Sequence, residues 1–432
     1  MGEWRESILV NILDTIESGQ RPVGGATTVS GEIPSLGGEN ISSNGRLVLD
    51  NIKKIPIDYF KKMNKGKLVG YEVLINKDGA NTGKVGYYNK DYENASINEH
   101  LFLLRGKADR VKQKYLYYSL LNDHGQIQIK NRITGSAQPG LSKEFVNYVK
   151  IYIPDNLYEQ EKIAEILTTI DNTIEQTEKI IAKYRRIKQG LLQDLLTKGI
   201  DENGNIRSEA THKFKDSPLG RIPVEWEFGT IGEVAKVRRG ASPRPIDNPE
   251  YFSDIGRGWV RITDVTNAYK FLLKTSQYMS LLGESLSVKV NKGELILSIC
   301  ATVGKPIILG IDACIHDGFV HIYDYQKRID RDYLFYFLDY NQEKIKLKSQ
   351  IGTQGNLNTD IVKNIELIIP PYKEQLTISE TLTNIDNNLD IEQKNLKKLH
   401  SIKQGLMQDL LTGKVRVTHL LNKGGKSNEC HP

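Results

Sequence analysis

Two long segments of the chain carry apolar residues at alternating steps of three and four, the spacing of an amphipathic helix. The first series is Ile163, Leu167, Ile170, Ile174, Ile181, Tyr184, Leu191 and Leu195, and the second is Ile378, Leu382, Ile385, Leu389, Leu396, Leu399, Leu406 and Leu410. A seam kept over about five heptads predicts a coiled coil. Proline precedes and glycine follows each segment, which predicts the helix ends at Pro154, Pro370, Gly199 and Gly413.

The two segments are copies of each other. Residues Glu159–Thr197 align with Glu374–Thr412 without a gap, and "IKQGLLQDLLT" recurs as "IKQGLMQDLLT". Polar residues interrupt both seams at the same two register positions, Thr177 and Lys188 in the first copy and Glu392 and Lys403 in the second. A polar seam residue lowers stability but fixes alignment, so these interruptions predict a specified register. The repeat predicts a tandem duplication.

Weaker echoes of the repeat extend outside the helical segments. They pair Glu3-Trp4 with Glu225-Trp226, Gly19 with Gly240, Gly83-Lys84 with Gly304-Lys305, and Gln138-x-x-Leu141 with Gln354-x-x-Leu357. Outside the helical segments, the chain contains short runs of β-branched and aromatic residues bounded by turn residues. Such runs are typical of strands. In the first half these runs are "YEVLINKDG", "GKVGYYN", "HLFLLR" and "YVKIYIP", with a helix at 109–123. In the second they are "GELILSI", "GKPIILG", "FVHIYDY" and "IELIIP", with a helix at 330–345.

The patterns together predict an α+β fold, in which two α/β domains are separated by two long helices that form a coiled coil. The predicted segments are an α/β domain at 1–152, a helix at 153–200, a polar linker at 201–222, a second α/β domain at 223–368, a second helix at 369–415 and a C-terminal tail at 416–432. The apolar pattern allows either helix direction, but internal pseudo-two-fold symmetry requires antiparallel helices.

Composition narrows the class of protein. The chain has 432 residues, 26% of them charged and 39% hydrophobic, with a net charge of +6, which permits nucleic-acid binding without requiring it. No apolar run is long enough to span a membrane, and the amino terminus is too charged for a signal peptide. The three cysteines form no CxxC pair, which fits a reducing cytoplasm and argues against a disulfide framework or a zinc finger.

Two stretches resemble cofactor or base-binding motifs of enzymes, but both lack a required residue. The sequence "IPPY" resembles an adenine methyltransferase motif, yet Ile369 cannot accept a hydrogen bond from the target amino group. The start of a helix is the preferred interpretation. The sequence "GANTGKV" resembles a phosphate-binding loop, but Val85 stands where magnesium chemistry needs serine or threonine. A glycine turn explains it better.

Two further groups could suggest hydrolysis or metal binding. In "PDNLYEQEK", Gln160 occupies the position where a nuclease motif needs an acid, and the second copy has no equivalent of Asp155. Cys314, His316 and His321 have no partner cluster with metal-ligand spacing, so they are predicted to be ordinary strand residues. The sequence therefore predicts no catalytic or metal site in this chain.

Four stretches resemble one family over essentially the full length of the chain. They are the paired "KQGL-QDLLT" helices, "HKFKDSPLGRIPVEWE" at His212–Glu227, "ITDV" at Ile262–Val265 and the "DGANTGKVG" loop. With these the chain resembles the DNA specificity subunit of type I restriction–modification systems. The resemblance implies two target recognition domains, each reading one half of a bipartite, asymmetric DNA site, with helices that set the spacer between the halves.

The resemblance also implies partners and cofactors. The helices would dock two methyltransferase subunits that modify adenine N6 with S-adenosylmethionine. Restriction would require an endonuclease subunit, ATP and magnesium. This chain would hold no cofactor and no catalytic residue. Two alternatives stay open. A self-contained methyltransferase or nuclease would need a cofactor loop or carboxylate cluster, and a protein-only coiled-coil scaffold would not need variable, lysine- and glutamine-rich loops.

Candidate DNA contacts are inferred from side-chain chemistry. Lysine side chains that suit phosphates are Lys61, Lys62, Lys65 and Lys67. Arginines that could read guanine edges are Arg238, Arg239 and Arg244, and amides that could read adenine are Asn81, Gln138, Gln354 and Asn356. Lys84 and Lys305, beside the repeated glycines, complete the set.

Overall fold

The structure is a computed structural model that describes residues 3–27, 31–350 and 357–421. The chain divides into two compact units, one formed by 1–178 with 394–432 and the other by 179–393. Each unit contains one α/β domain together with parts of both long helices. The predicted segments are continuous in sequence. The first compact unit, in contrast, combines residues from both ends of the chain, and the division between the units falls within the long helices.

The elements of the first α/β domain and its helix follow one another along the chain. They are β1 (Trp4–Ile8), α1 (Leu9–Ile12), β2 (Leu13–Ser18), β3 (Ile33–Leu36), β4 (Lys54–Ile55), α2 (Ile57–Lys62), β5 (Lys67–Leu68), β6 (Glu72–Asn76), β7 (Val85–Tyr88), β8 (Ala95–Ile97), β9 (Leu101–Gly106), α3 (Gln113–Leu121), α4 (Asp123–Lys130), β10 (Ile133–Thr134), β11 (Gly140–Leu141), β12 (Lys150–Pro154) and α5 (Leu157–Thr197). Strands β6, β7, β9 and β12 and helix α3 confirm the sequence predictions.

The second half continues with a similar set of elements. They are β13 (Phe214–Ser217), β14 (Gly220–Pro223), β15 (Glu227–Thr230), α6 (Ile231–Val234), β16 (Lys236–Arg239), β17 (Phe252–Val260), α7 (Ile262–Asn267), β18 (Phe271–Leu272), β19 (Gln277–Met279), α8 (Leu281–Ser285), β20 (Val288–Val290), β21 (Leu295–Ser298), β22 (Pro306–Leu309), β23 (Ala313–Ile315), β24 (Phe319–Tyr323), α9 (Arg331–Tyr340), α10 (Gln342–Gln350), α11 (Thr359–Lys363), β25 (Glu366–Ile369), α12 (Tyr372–Leu411) and α13 (Thr418–Leu421). The predicted strands β21, β22, β24 and β25 are confirmed. The helix predicted at 330–345 is two helices, α9 and α10, and the segment predicted as a linker contains the β13–β14 hairpin.

The two domains share their strand order, except that the second has an additional edge strand, β18. In the first unit the sheets run β2-β9-β6-β7 and β4-β3-β8-β5, and in the second unit they run β16-β24-β21-β22-β18 and β19-β17-β23-β20. The strand that begins each domain also pairs with the strand before its long helix, β1 with β12 and β15 with β25. The weak sequence echoes therefore reflect a duplicated topology.

The long helices pack in opposite directions within each unit. In the first unit Ile163 and Leu167 of α5 share a core with Met407 and Leu410 of α12. In the second unit the far end of α5, at Leu195, shares a core with the start of α12. The antiparallel prediction is therefore confirmed.

The predicted seam residues are all buried or half-buried. Those that are buried are Ile163, Leu167, Ile174, Leu195, Ile378, Leu382, Leu389 and Leu410, and those that are half-buried are Ile170, Leu191, Ile385 and Leu406.

Charge along each helix favours this direction. From its start to Glu178, α5 carries six acidic residues and one basic residue, and beyond that point it carries five basic residues and one acidic residue. Helix α12 has the same division, with five acidic and one basic residue up to Gln393 and four basic and one acidic residue after it. An antiparallel pair sets acidic halves against basic halves, whereas a parallel pair would oppose like charges.

Each domain is joined to its long helix by a buried glutamine. Gln160 is fully buried, and its amide donates to the carbonyls of Arg110 and Pro154 while its oxygen accepts from Lys112 N. Gln375 makes the same three bonds in the second unit, to Arg328 O, Pro370 O and Asp330 N. The preceding glutamates, Glu159 and Glu374, are also buried. Their charges are compensated by ion pairs with Arg416 and Arg207 respectively. The repeated "EQ" is thus a structural attachment.

Candidate nucleic-acid interface

The lysine-rich segment of the first unit begins in the last turn of α2 and continues into β5. Lys61, Lys62 and Lys65 are exposed. Lys67 is half-buried in β5, and its ammonium donates to Lys61 O at 3.1 Å and lies 5.1 Å from the centre of the Phe60 ring. The first three side chains are therefore available to phosphates, while Lys67 mainly secures the segment.

Two loops of the first unit that carry candidate residues lie side by side. The loop between β6 and β7 contains Asn81 and Lys84, and the turn between β10 and β11 contains the exposed Gln138. The backbones meet where Leu141 N donates to Lys77 O at 2.6 Å and Gly79 N donates to Pro139 O at 3.0 Å. Asn81 is half-buried, and its amide is 3.4 Å from Gly38 O. The structure thus brings Asn81 and Gln138, distant in sequence, to one surface.

In the equivalent loop of the second unit, between β21 and β22, the lysine binds backbone carbonyls of the chain itself. Lys305 Nζ donates to Ala268 O at 2.7 Å and to Thr266 O at 3.1 Å, at the end of α7. Burial lowers the pKa of Lys305. The side chain therefore satisfies carbonyls that the end of α7 leaves open. Gln354 and Asn356 lie outside the described residues.

Arginines gather on the strand and loop that follow α6. Arg238 and Arg239 are exposed on β16, and Arg238 Nη2 donates to Lys289 O at 3.2 Å. Arg239 Nε donates to the carbonyl of Asp317 at 2.9 Å, and Arg244 Nη2 lies 3.5 Å from the carboxylate of the same residue. The structure thus unites Arg239 and Arg244 at Asp317.

The loop after β2 in the first unit also carries an arginine, Arg21, which is not among the residues predicted to contact DNA. Its guanidinium Nε lies 2.9 Å from Glu99 Oε1, and its side chain is 61% exposed. The repeat of Gly19 at Gly240 could have identified it, because Arg21 lies two residues after the first glycine and Arg244 four residues after the second. A cavity of about 520 Å³ beside it is lined by Arg21, Gly25, Ala26, Glu39, Lys53, Asn98, Glu99 and His100.

These surfaces can bind an anionic polymer and read it. Exposed lysines provide point charges for phosphates, and arginine forks and amides can form paired hydrogen bonds with base edges. Within 3–27, 31–350 and 357–421, no group of three or more His, Cys, Asp and Glu side chains could hold a metal ion. Cys314 lies in β23 and His321 in β24, as predicted, whereas His316 lies between these two strands, so the prediction of a strand position was wrong for His316. Tyr372 begins α12, as the sequence predicted. No helix in the described part of the chain could cross a membrane.

Comparison with known proteins identifies relatives that match most of the chain. The type I restriction enzyme MjaVIII specificity subunit of Methanocaldococcus jannaschii is 27% identical over 377 residues, covering 82% of this chain and 83% of that protein. The putative MjaX specificity subunit of the same organism is 29% identical over 343 residues, covering 78% and 76%. The crystal structure of a type I restriction–modification S subunit from M. genitalium has the same fold, with a TM-score of 0.64 at 15% identity, covering 95% of this chain and 96% of that one.

A family profile matches both halves of the chain. It covers residues 1–184 and 223–401, which include both α/β domains and most of both long helices. The duplicated strand order and the antiparallel helices agree with this match. The chain therefore belongs to the type I restriction modification DNA specificity family.

Proposed function

We propose that this chain directs methyltransferase subunits to a bipartite DNA site, with each α/β domain reading one half. The observation that carries the proposal is the duplicated topology with diverged surface loops. The two domains share strand order, yet the helix between equivalent strands ends in lysines in the first unit (α2) and carries exposed leucines in the second (α8). Two copies of one scaffold with different side chains suit an asymmetric site.

The long helices support two equivalent docking sites for a partner. Four exposed residues of α5 are identical to their equivalents in α12, which are also exposed. They are Ile187, Gln189, Gly190 and Gln193 in α5, and Ile402, Gln404, Gly405 and Gln408 in α12. Buried residues would be alike in both copies because they fill similar cores. Exposed residues have no such reason, so their identity favours a surface used twice by the same partner.

The two glycines strengthen this inference. Glycine inside a helix costs about 1 kcal/mol relative to alanine. A Cβ added at Gly190 or Gly405 would have no atom of this chain within 4 Å. The chain itself therefore gives no steric reason for glycine at either position. A partner backbone that passes close to the helix would give one.

The partner that fits is a pair of DNA adenine methyltransferase subunits, one on each site. They would supply S-adenosylmethionine and the N6 methylation chemistry, and an endonuclease subunit, where present, would add ATP- and magnesium-dependent restriction. The helices would set the length of the unread spacer between the half-sites. The residues of this chain would bind and orient the DNA without taking part in methyl transfer.

The proposal is tested by supplying and withholding the partner. The purified chain is incubated with S-adenosylmethionine and DNA, alone and with the methyltransferase encoded beside it. We expect methylation only with the partner, at one bipartite motif found by methylome sequencing. Methyl transfer by the chain alone, or methylation at a continuous motif, would contradict the proposal.

A further inference from the structure

An acidic residue occupies the same turn in both α/β domains. Glu99 lies between β8 and β9, and Asp317 lies between β23 and β24. These turns are equivalent because β8 and β23 hold the same place in one sheet, and β9 and β24 hold the same place in the other. The match is in structure and charge, and the sequence around the two turns differs.

Each turn faces a loop that starts at a glycine. We define the first recognition loop as residues 20–27 and the second as residues 241–250. Gly19 N donates to Leu101 O at 3.3 Å and Gly240 N donates to Phe319 O at 2.9 Å, which are equivalent bonds. A Cβ added at Gly19 would overlap the carbonyl oxygen of Ile97, and one at Gly240 would overlap that of His316. Both loops therefore begin in close backbone contact with the acidic turn.

In the first unit Glu99 holds the recognition loop from two sides. Its carbonyl accepts from Ser18 Oγ at 3.3 Å, just before the loop. Its carboxylate lies 2.9 Å from Arg21 Nε and 3.2 Å from His100 Nε2. His100 Nδ1 lies 2.6 Å from Asp78 Oδ1. Arg21 of the loop and His100 of the turn therefore contact the same carboxylate.

Asp317 holds the second recognition loop in the same manner. Its carbonyl accepts from Arg239 Nε at 2.9 Å. Its carboxylate accepts from Ser242 Oγ at 2.6 Å and lies 3.5 Å from Arg244 Nη2. The hydrogen bond from Ser242 lowers the pKa of the Asp317 carboxyl, which keeps it ionised.

A carboxylate beside a DNA-binding loop requires a physical reason, because it repels phosphates. Direct reading of cytosine amino groups is one possible reason, since carboxylates accept from N4. Both carboxylate oxygens of Glu99 are buried, so they cannot reach a base. For Glu99 the remaining role is to orient Arg21, whose side chain is 61% exposed. The Asp317 side chain is 43% exposed, and its contacts with Ser242 and Arg244 give it the same role in the second unit.

We propose that Glu99 and Asp317 are positioning residues that fix the two recognition loops, so that Arg21 reads one half-site and Arg244 reads the other. This inference rests on the proposed function. A guanidinium held at one edge by an acid presents its other donors in a fixed direction, which favours discrimination between bases.

The test uses the complex of the full chain with its methyltransferase partner and methylome sequencing. The variants are Glu99→Gln, Arg21→Ala, Asp317→Asn and Arg244→Ala. The matched control, Asp360→Asn, removes one charge from an exposed carboxylate on α11, outside both loops and both acidic turns. We expect Glu99→Gln and Arg21→Ala to relax the same half-site about tenfold or more, and Asp317→Asn and Arg244→Ala to relax the other.

A double variant separates positioning from a direct or merely structural role. If Glu99 acts through Arg21, Glu99→Gln should add no further loss of discrimination to Arg21→Ala. Full additivity, a change in both half-sites, or an unchanged motif would overturn the inference. If one variant fails to fold, its counterpart in the other unit decides. If the wild-type complex methylates no bipartite motif, the proposed function itself fails, which is a different result.

Discussion

Lys403 and Asp171 form an ion pair between the long helices of the first unit, with 2.6 Å between Nζ and Oδ1. Their side chains are 15% and 19% exposed. Tyr118 Oη of the recognition domain donates to the same carboxylate at 2.8 Å. The second unit repeats the arrangement, with Lys188 on Asp386 at 2.6 Å. One carboxylate thus ties both helices and the recognition domain together in each unit.

Removing one partner of this pair should destabilise the first unit. In Asp171→Ala the Lys403 ammonium keeps little access to water and loses its counter-ion, so we expect a loss of about 3 kcal/mol in the free energy of unfolding. Urea unfolding of the purified chain measures it. The double variant Asp171→Ala with Lys403→Met should lose less than the sum of the two single variants. Additive losses would show that the pair is not coupled.

The sequence revealed this pair only in part. The seam interruptions at Lys188 and Lys403 predicted a fixed register, but the acids that pair with them lie on the partner helix, and apolar spacing does not give helix direction. The division of charge along α5 and α12 is a second signal in the sequence for the antiparallel direction, besides the internal symmetry.

The recognition surface was less predictable than the helices. Strands β6, β9, β21 and β24 follow from local patterns of apolar residues. Arg21 and Glu99 lie 78 positions apart on different loops, so no local sequence pattern predicts their contact. Lys305 looked like a free cation in sequence because the carbonyls it binds belong to α7, more than 30 residues earlier.

Alanine at the helix glycines should separate stability from assembly. Gly190→Ala and Gly405→Ala should each stabilise the isolated chain by about 0.5–1 kcal/mol, because an exposed helix interior favours alanine. Gly190→Leu and Gly405→Leu should weaken partner binding at one site each, since the larger side chain blocks close approach. Calorimetric titration with the methyltransferase should then give one partner per chain. Two partners bound to the Leu variants would exclude these glycines from the interface.

Lys62 of the first unit and Lys305 of the second unit should differ in what their loss affects. Lys62→Ala should lower affinity equally for all sequences and reduce the salt slope of binding by about 1, as expected for a lost phosphate contact. Lys305→Ala should instead lower the unfolding temperature, because its ammonium holds the end of α7. Fluorescence anisotropy of the complex from 50 to 200 mM salt measures the first effect. An unchanged slope for Lys62→Ala would remove that residue from the interface.

Exchange of one recognition domain should change one half-site only. Residues 1–152 are replaced by the equivalent domain of a relative, while the helices stay the same. Gln160 and Asp171 on the retained helix should still attach a domain that keeps the matching backbone and tyrosine contacts. Methylome sequencing of the hybrid complex should show one half-site replaced and the other kept. A hybrid that changes both halves would contradict the assignment of one domain to each half-site.

The last prediction tests whether the helices set the spacer length. Seven residues are inserted after Glu178 and seven after Gln393, the two points where the chain passes from one compact unit to the other. A heptad in both helices preserves the apolar seam and the antiparallel register, and the contacts within each unit stay intact. As a control, a heptad in only one helix should disrupt the register and reduce folding yield.

The insertion lengthens each helix by about 10 Å, at 1.5 Å per residue. At about 3.4 Å per base pair this corresponds to roughly three additional spacer pairs. Three pairs also rotate one half-site by roughly 100° about the duplex, since a turn holds 10–10.5 pairs. Straight helices do not follow that rotation, so the DNA must twist or bend, which costs free energy. We therefore expect methylome sequencing to show the same half-sites, a longer preferred spacer and a lower methylation level. If the variant folds and methylates at the original spacer, the helices do not set the spacing.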